Sequence, residues 1–333
     1  MGLSAGWEVV RERVDNTYIT GEIFEPVPIR RLDSGLFVEG RPSLGRDLLL
    51  TAGVRLERIA RAALEPSPGA RPAFADQIVW SLNPKVSAAW FVRGVDATNW
   101  TKLRASAGTG IKPPTGFDIA FTNNPDLKPE RSRSLEIGVE QALARAGLVA
   151  DAAWFQNRYD DLIVTAGLAL IGASRYRTDN IANARAHGLE LGLRWRSRTG
   201  FGARAAWTWM NTEVLAVDGL SVAQFPYGVG DALPRRPRHH GVGEITWTRD
   251  RVDAFLTLGG RGSMTDLEPN FISDLVANPG YVNVSLGGAL TLARNVEVFG
   301  RVTNALDRRY EEVFGYPALG RRASVGVRIA AGR

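Results

Sequence analysis

At 333 residues without a cysteine, the chain has no disulfide framework and no thiolate metal site. A net charge of +6 and a pI near 9.9 raise nucleic acid as a partner, but the arginines are spread along the whole chain with no basic helix, which argues against it. No stretch approaches the roughly 18 uninterrupted apolar residues of a spanning helix, so a membrane could be crossed only by strands.

The start, Met1-Gly2-Leu3-Ser4-Ala5-Gly6-Trp7, lacks the basic, apolar and small-residue pattern of a secretory signal, and no export signal is predicted in it. From there apolar and polar residues alternate with period 2, the mark of strands with two chemically different faces. About fourteen strands are predicted, beginning near Ala5, Leu32, Asp47, Ile78, Asn99, Arg131, Leu148, Ala186, Phe201, Arg238, Arg251, Tyr281, Asn295 and Gly320. In the fourth, Trp80, Leu82, Val86, Ala88, Trp90 and Val92 share one face, and Ser81, Asn83, Lys85, Ser87 and Arg93 the other. Two tryptophans ten residues apart on a tilted strand lie about 25 Å apart along a barrel axis, which is the height of a lipid band. Pro84 interrupts this strand and cannot donate to a ladder.

Later strands repeat the pattern. Leu135, Ile137 and Val139 alternate with Glu136, Gly138 and Glu140, and Leu189, Leu191, Leu193 and Trp195 with Glu190, Gly192, Arg194 and Arg196. Val282, Val284, Leu286, Leu290 and Leu292 oppose Asn283, Ser285, Gly287 and Thr291, while Ala323, Val325, Val327 and Ile329 oppose Arg322, Ser324, Gly326 and Arg328. The apolar sets should face lipid and the polar sets a lumen.

A soluble sandwich would alternate as well, so the connections decide. Short turns are expected near residues 43–45, 94–97, 144–147, 198–200, 249–250 and 293–294. Between them fall long loops at about 15–30, 60–77, 111–130, 165–183, 214–237, 264–280 and 307–319. Strict alternation of short and long puts all long loops at one end of an up-and-down barrel, the outer-membrane arrangement.

Four motifs carry a family resemblance. The first runs from Arg104-Ala105-Ser106-Ala107-Gly108 through Lys112-Pro113-Pro114 to Asn124-Pro125-Asp126-Leu127-Lys128-Pro129-Glu130. The second is Asn180-Ile181-Ala182-Asn183-Ala184 with Gly188-Leu189-Glu190, and the third Pro234-Arg235-Arg236-Pro237-Arg238-His239. The fourth is Thr303-Asn304-Ala305-Leu306-Asp307, Tyr310, Phe314-Gly315-Tyr316-Pro317 and Gly320-Arg321. In these the chain resembles the TonB-dependent outer-membrane receptors of the cobalamin and siderophore branch. The resemblance implies an all-β transmembrane antiparallel barrel of about 22 strands around an N-terminal plug. Residues 1–333 would then be a single, N-terminally truncated barrel domain, without the plug or the segment through which the energy-transducing TonB complex pulls. The implied location is the cell outer membrane, with outer-membrane lipid and lipopolysaccharide around the barrel. Such barrels commonly close on a terminal aromatic, whereas this chain ends Ile329-Ala330-Ala331-Gly332-Arg333.

Locally, Asn124-Pro125 should break a strand and Lys128-Pro129 stiffen the re-entry at Glu130, a rim-shaping role. Adjacent His239 and His240 point to opposite faces and cannot share a metal as a simple pair, and no cofactor is expected. Asp160-Asp161 and Glu311-Glu312 read as solvated acids, and no catalytic constellation is apparent, so no enzymatic role is expected. Phe225, Tyr227, Phe271, Phe314 and Tyr316, with Tyr310, Arg235, Arg236, Arg308 and Arg309 beside them, lie in long loops. They could stack on and pair with an anionic chelate such as a ferric siderophore or a cobalamin. The competing readings are a plugless passive channel of about fourteen strands and a non-functional receptor fragment.

Overall fold

A computed structural model of the chain describes residues 2–20, 23–66, 72–93, 98–120, 122, 124–167, 176–217, 228–267 and 275–330. The strands are β1 (Gly2–Thr20), β2 (Ile23–Arg41), β3 (Ser43–Leu44), β4 (Leu48–Arg61), β5 (Gln77–Phe91), β6 (Asn99–Lys112), β7 (Glu130–Leu143), β8 (Leu148–Gly167), β9 (Tyr176–Arg196) and β10 (Phe201–Val217). They continue as β11 (His239–Arg249), β12 (Val252–Arg261), β13 (Met264–Leu267), β14 (Leu275–Asn278), β15 (Tyr281–Ala293), β16 (Val296–Thr303), β17 (Glu311–Val313), β18 (Tyr316–Pro317) and β19 (Arg322–Ile329). One short helix, α1 (Gly116–Ala120), sits between β6 and β7. Among the described residues no helix is long and apolar enough to cross a membrane.

Fourteen strands form one antiparallel path, β1-β2-β4-β5-β6-β7-β8-β9-β10-β11-β12-β15-β16-β19, with β3 paired to β4 beside it. Neighbours in space are neighbours in sequence except where the small hairpins β13–β14 and β17–β18 are inserted in long loops. This is the predicted up-and-down order. Asn99, Leu148, Phe201 and Tyr281 open their strands as expected.

The described parts of two expected loops prove to be strand. β1 and β2 pair without a break from Gly2↔Arg41 to Thr20↔Ile23, so residues 15–20 and 23–30 are paired strand. Pro26 and Pro28 suggest a loop, but here β2 pairs with β1 alone, since its ladder with β4 starts only at Arg31↔Arg61. A proline is tolerated where its missing N–H faces an unpaired side. Likewise β8 reaches Gly167 and β9 starts at Tyr176, which narrows the expected loop of 165–183 to residues outside the described set. Pro84 leaves a visible mark as well: β5 pairs with β4 along its length, but its ladder with β6 stops at Lys85↔Gly108.

The period-2 faces are as read. Trp80, Leu82, Val86 and Trp90 are exposed on one side of β5, while Ser81 is buried on the other. Leu191, Leu193, Leu286, Val325 and Val327 are exposed on the same outer side. The inner side carries cross-strand ion pairs, including Glu12–Arg31, Glu8–Arg55, Lys102–Glu140, Arg204–Glu244 and Arg328–Glu297. Paired charge on one face and bare aliphatic surface on the other fits a wall between lipid and a wet interior.

The apolar core lies inside the long-loop end. Val27, Ile29, Leu64, Phe74, Ile119, Ala120 and Leu127 are buried together, with Val14 packed against them. α1 touches β1 and β2 at one end of the sheet order and β9 far along it, so the sheet curls around the loop that carries it.

Candidate ligand-binding site

The motif residues between β6 and β7 are held by a network, and Lys112 and Glu130 at its ends also line a cavity of about 460 Å³. Lys112 closes β6 with its Nζ 3.0 Å from Glu130, and Pro113 follows it directly. Asn124 Oδ1 accepts from the Asp126 N–H and its Nδ2 donates to Asp179 Oδ1 at 2.7 Å. Pro125 lies in that turn. Asn180, buried in β9, accepts from the Lys128 N–H and donates to the carbonyls of Lys128 and Asp161. Pro129 immediately precedes β7, whose first residue, Glu130, accepts from the Ile163 N–H.

Gly188 is a close-approach position: a Cβ there would overlap the Trp209 carbonyl and the Phe155 ring. Glu190 is exposed on the inner face of β9. In the last long loop Asn304 and Asp307 adopt left-handed φ of 48° and 51°. Asn304 Nδ2 donates to the carbonyls of Arg308 and Leu319, and Asp307 Oδ1 accepts from the Arg321 N–H. A side chain at Gly320 would crowd Asp307.

A second group converges on a cavity of about 840 Å³ on the inner face at the long-loop end, lined by Arg235, Arg236, His240, Arg261, Tyr281, Asn283, Tyr310 and Glu312 among others. The Tyr281 and Tyr310 rings stack with centroids 3.9 Å apart, and the Arg261 guanidinium lies 5.3 Å from the Tyr281 ring. Tyr281 O–H donates to Glu312, and Asn283 Nδ2 donates to Tyr310 Oη at 2.9 Å. Arg261 is fixed by the carbonyls of Gly262, Pro279 and Glu311 and by Asn278 Oδ1.

Asp266 of β13 ties three loops together beside this cavity. Fully buried, it accepts from Arg235 Nε, Asn278 Nδ2 and the N–H groups of Phe314 and Leu267. Burial alone would raise its carboxyl. The Arg235 guanidinium, the Phe314 and Leu267 N–H groups and Asn278 instead hold it below the ordinary carboxylate range.

Of the loop residues nominated from sequence, Arg235, Arg236 and Tyr310 line the cavity and Phe314 anchors its rim. Arg308, Arg309 and Tyr316 are exposed away from it. Phe225, Tyr227 and Phe271 lie outside the described residues. His240, Arg261, Tyr281, Asn283 and Glu312 were not nominated. The available signal was alternation, which puts Tyr281 and Asn283 on the polar face of β15. Among the described residues no group of three His, Asp or Glu side chains is placed to hold a metal.

A fourteen-strand up-and-down sheet with a paired inner face, a bare outer face and long loops at one end is the architecture of an outer-membrane barrel wall. The family model for the TonB dependent receptor-like β-barrel matches residues 7–305, and the chain belongs to that family of outer-membrane barrels. The chain is 34% identical over 121 residues to the vitamin B12 transporter BtuB of Vibrio vulnificus strain YJ016, covering 36% of this chain and 18% of that protein. It is 28% identical over 165 residues to BtuB of strain CMCP6, covering 49% of this chain and 23% of the relative. Among solved structures, the ferric-catecholate import receptor Fiu of K12 E. coli superposes with a TM-score of 0.74 at 17% identity, covering 98% of this chain and 51% of that one. The ferric yersiniabactin receptor FyuA of Yersinia pestis gives 0.70 at 17% identity, covering 98% and 50%. The chain thus matches about half the length of these receptors.

Proposed function

We propose that this chain forms barrel wall and outward-facing vestibule of a receptor for energy-coupled uptake of a scarce nutrient chelate, a ferric siderophore or a cobalamin. The role is transport, not catalysis, and the TonB complex would act through a plug domain rather than through the wall described here. The carrying observation is the cavity beneath the long loops, where a stacked tyrosine pair adjoins Arg261 and Arg236. Arg235 is ion-paired with Asp266 and Arg261 is held by four acceptors, whereas the Arg236 guanidinium is exposed and donates to the Arg235 carbonyl, which makes it the guanidinium best placed to meet an anion. Aromatic faces beside a guanidinium suit a ligand that is planar, anionic and larger than a simple ion. The names of the relatives, a vitamin B12 transporter and ferric-chelate receptors, support the same substrate class.

The test is direct binding. The full chain, folded in detergent, is titrated with a ferric catecholate and with cyanocobalamin while intrinsic fluorescence is followed. One of the two should quench saturably, and Tyr310→Ala should weaken it about threefold to tenfold, the worth of one stacked ring. Saturable binding untouched by Tyr310→Ala and Arg236→Ala would move the site elsewhere, and no binding of either class would overturn the proposal.

A further inference from the structure

The strap Pro234-Arg235-Arg236-Pro237 divides the inner face at the long-loop end into two chambers. On one side lies the cavity with the Tyr281–Tyr310 stack, which Pro237 lines. On the other, which Pro234 lines, a cavity of about 460 Å³ opens on the inner face of β6 to β10. Met210, Arg235 and Arg236 line both, so the chambers meet at the strap. Each is as large as an ordinary small-molecule site, about 300–1,000 Å³. The strap is a fixed partition. Leu233 N–H donates to Thr212 Oγ1 at 3.0 Å, Arg235 N–H to the Thr265 carbonyl at 2.7 Å, and Arg235 Nε to the buried Asp266. These bonds hold Arg235 at a left-handed φ of 58°, and a proline at each end fixes the φ angle there.

The two chambers differ in chemistry. The first offers tyrosine faces and the exposed Arg236 guanidinium. In the second the charged groups already have protein partners: Lys112 Nζ lies 3.0 Å from Glu130 Oε2, Glu130 Oε1 accepts the Ile163 N–H, and Arg235 is paired with Asp266. What remains is apolar wall. Leu162, Val164 and Leu233 pack on the buried Val214 and, with Phe155 and Tyr159, line the chamber. A compact anionic chelate would occupy the first chamber alone and leave this wall wet, whereas a ligand with an apolar extension would cover it.

We propose that the ligand is bipartite: a ferric chelate whose anionic head lies on the Tyr281–Tyr310 stack beside Arg236, and whose acyl arm passes Met210 into the second chamber. Stacking and guanidinium pairing hold the head, and burial of apolar surface against Leu162, Val164 and Leu233 holds the arm. The inference rests on the receptor reading above and narrows it to amphiphilic chelates. Heat-dependent gel mobility reports folding separately from binding, so that an unfolded variant is not mistaken for a lost site.

The full chain in detergent is titrated with a ferric catecholate, with the same chelate carrying an acyl arm, and with cyanocobalamin. The armed chelate should bind about tenfold tighter than the bare one or more, since each methylene fully buried is worth about fourfold. The double variant Leu233→Asn, Leu267→Asn, which places polar groups in the arm's wall, should shrink that ratio to about threefold or less. Tyr310→Ala should weaken both chelates alike and keep the ratio. Equal affinity of the two chelates for the unmutated chain, or a ratio untouched by the double variant, would overturn the arm site and leave the receptor reading standing. Binding of cyanocobalamin alone would do the same, whereas binding of none of the three would overturn both. If the double variant does not fold, a series of arm lengths on the unmutated chain decides. Affinity should climb with each added carbon and level off once the chamber is filled; a flat series, or a climb without a plateau as for partition into detergent, would contradict the site.

Discussion

Asn124 Nδ2 donates to Asp179 Oδ1 at 2.7 Å although 55 residues separate them, and the neighbouring Asn180 grips the backbone of Lys128 on both its N–H and its carbonyl. Two motifs distant in sequence thus form one brace, with the β6–β7 loop strapped to β9.

Asn180→Ala should release that strap. It leaves the Lys128 N–H and the carbonyls of Lys128 and Asp161 without their partners. Each unsatisfied buried polar group costs about 1–3 kcal/mol, partly relieved where water enters. Hydrogen exchange should accelerate across residues 113–129 and stay unchanged in β11, β12 and β15. Unchanged exchange in the loop would show that the brace is dispensable.

Close approach gives a second prediction. Gly188→Ala forces a methyl group into the Trp209 carbonyl and should cost about 1–3 kcal/mol as overpacking. Gly259→Ala, where an added Cβ meets nothing within 4 Å, should be nearly neutral. The fraction of chain folded in detergent, read by gel mobility at graded urea, compares the two.

Much of this wall was legible because a period of two is hard to mistake: Leu191 and Leu286 were assigned outward, and Glu190 and Asn283 inward, from parity alone. Residues 15–20 and 23–30 are strand where a long loop is expected, and a strand paired on one side tolerates Pro26 and Pro28. Hairpin β13–β14 escaped notice because four-residue strands carry too little alternation. The cavity was legible only in part. Arg261 and Tyr281 are cross-strand partners, but only the ladder between β12 and β15 reveals it.

Acidity should act through Asp266. A carboxyl held below its ordinary value of 3.8 in the folded chain contributes stability that is fully present above that value and lost as pH falls through the lower folded one. Proteolysis of the β13–β14 hairpin should therefore be flat from pH 8 to about pH 5 and rise only below about pH 4, the ordinary carboxylate range. Asp266→Asn should expose the hairpin at neutral pH, since an amide cannot accept from Arg235, Phe314 and Leu267 as the carboxylate does. Early loss of the hairpin near pH 6 would mean that another group controls it.

The central claim is that alternate residues of one strand face lipid and lumen, and arginine scanning of β15 tests it most directly. Leu286 is exposed on the outer face at mid-strand, opposite Leu256 and Val302, while Ser285 lines the inner cavity. Folding free energies in lipid vesicles should fall by about 2 to 4 kcal/mol for Leu286→Arg and by much less for Ser285→Arg. Equal losses at the two positions would contradict the barrel assignment.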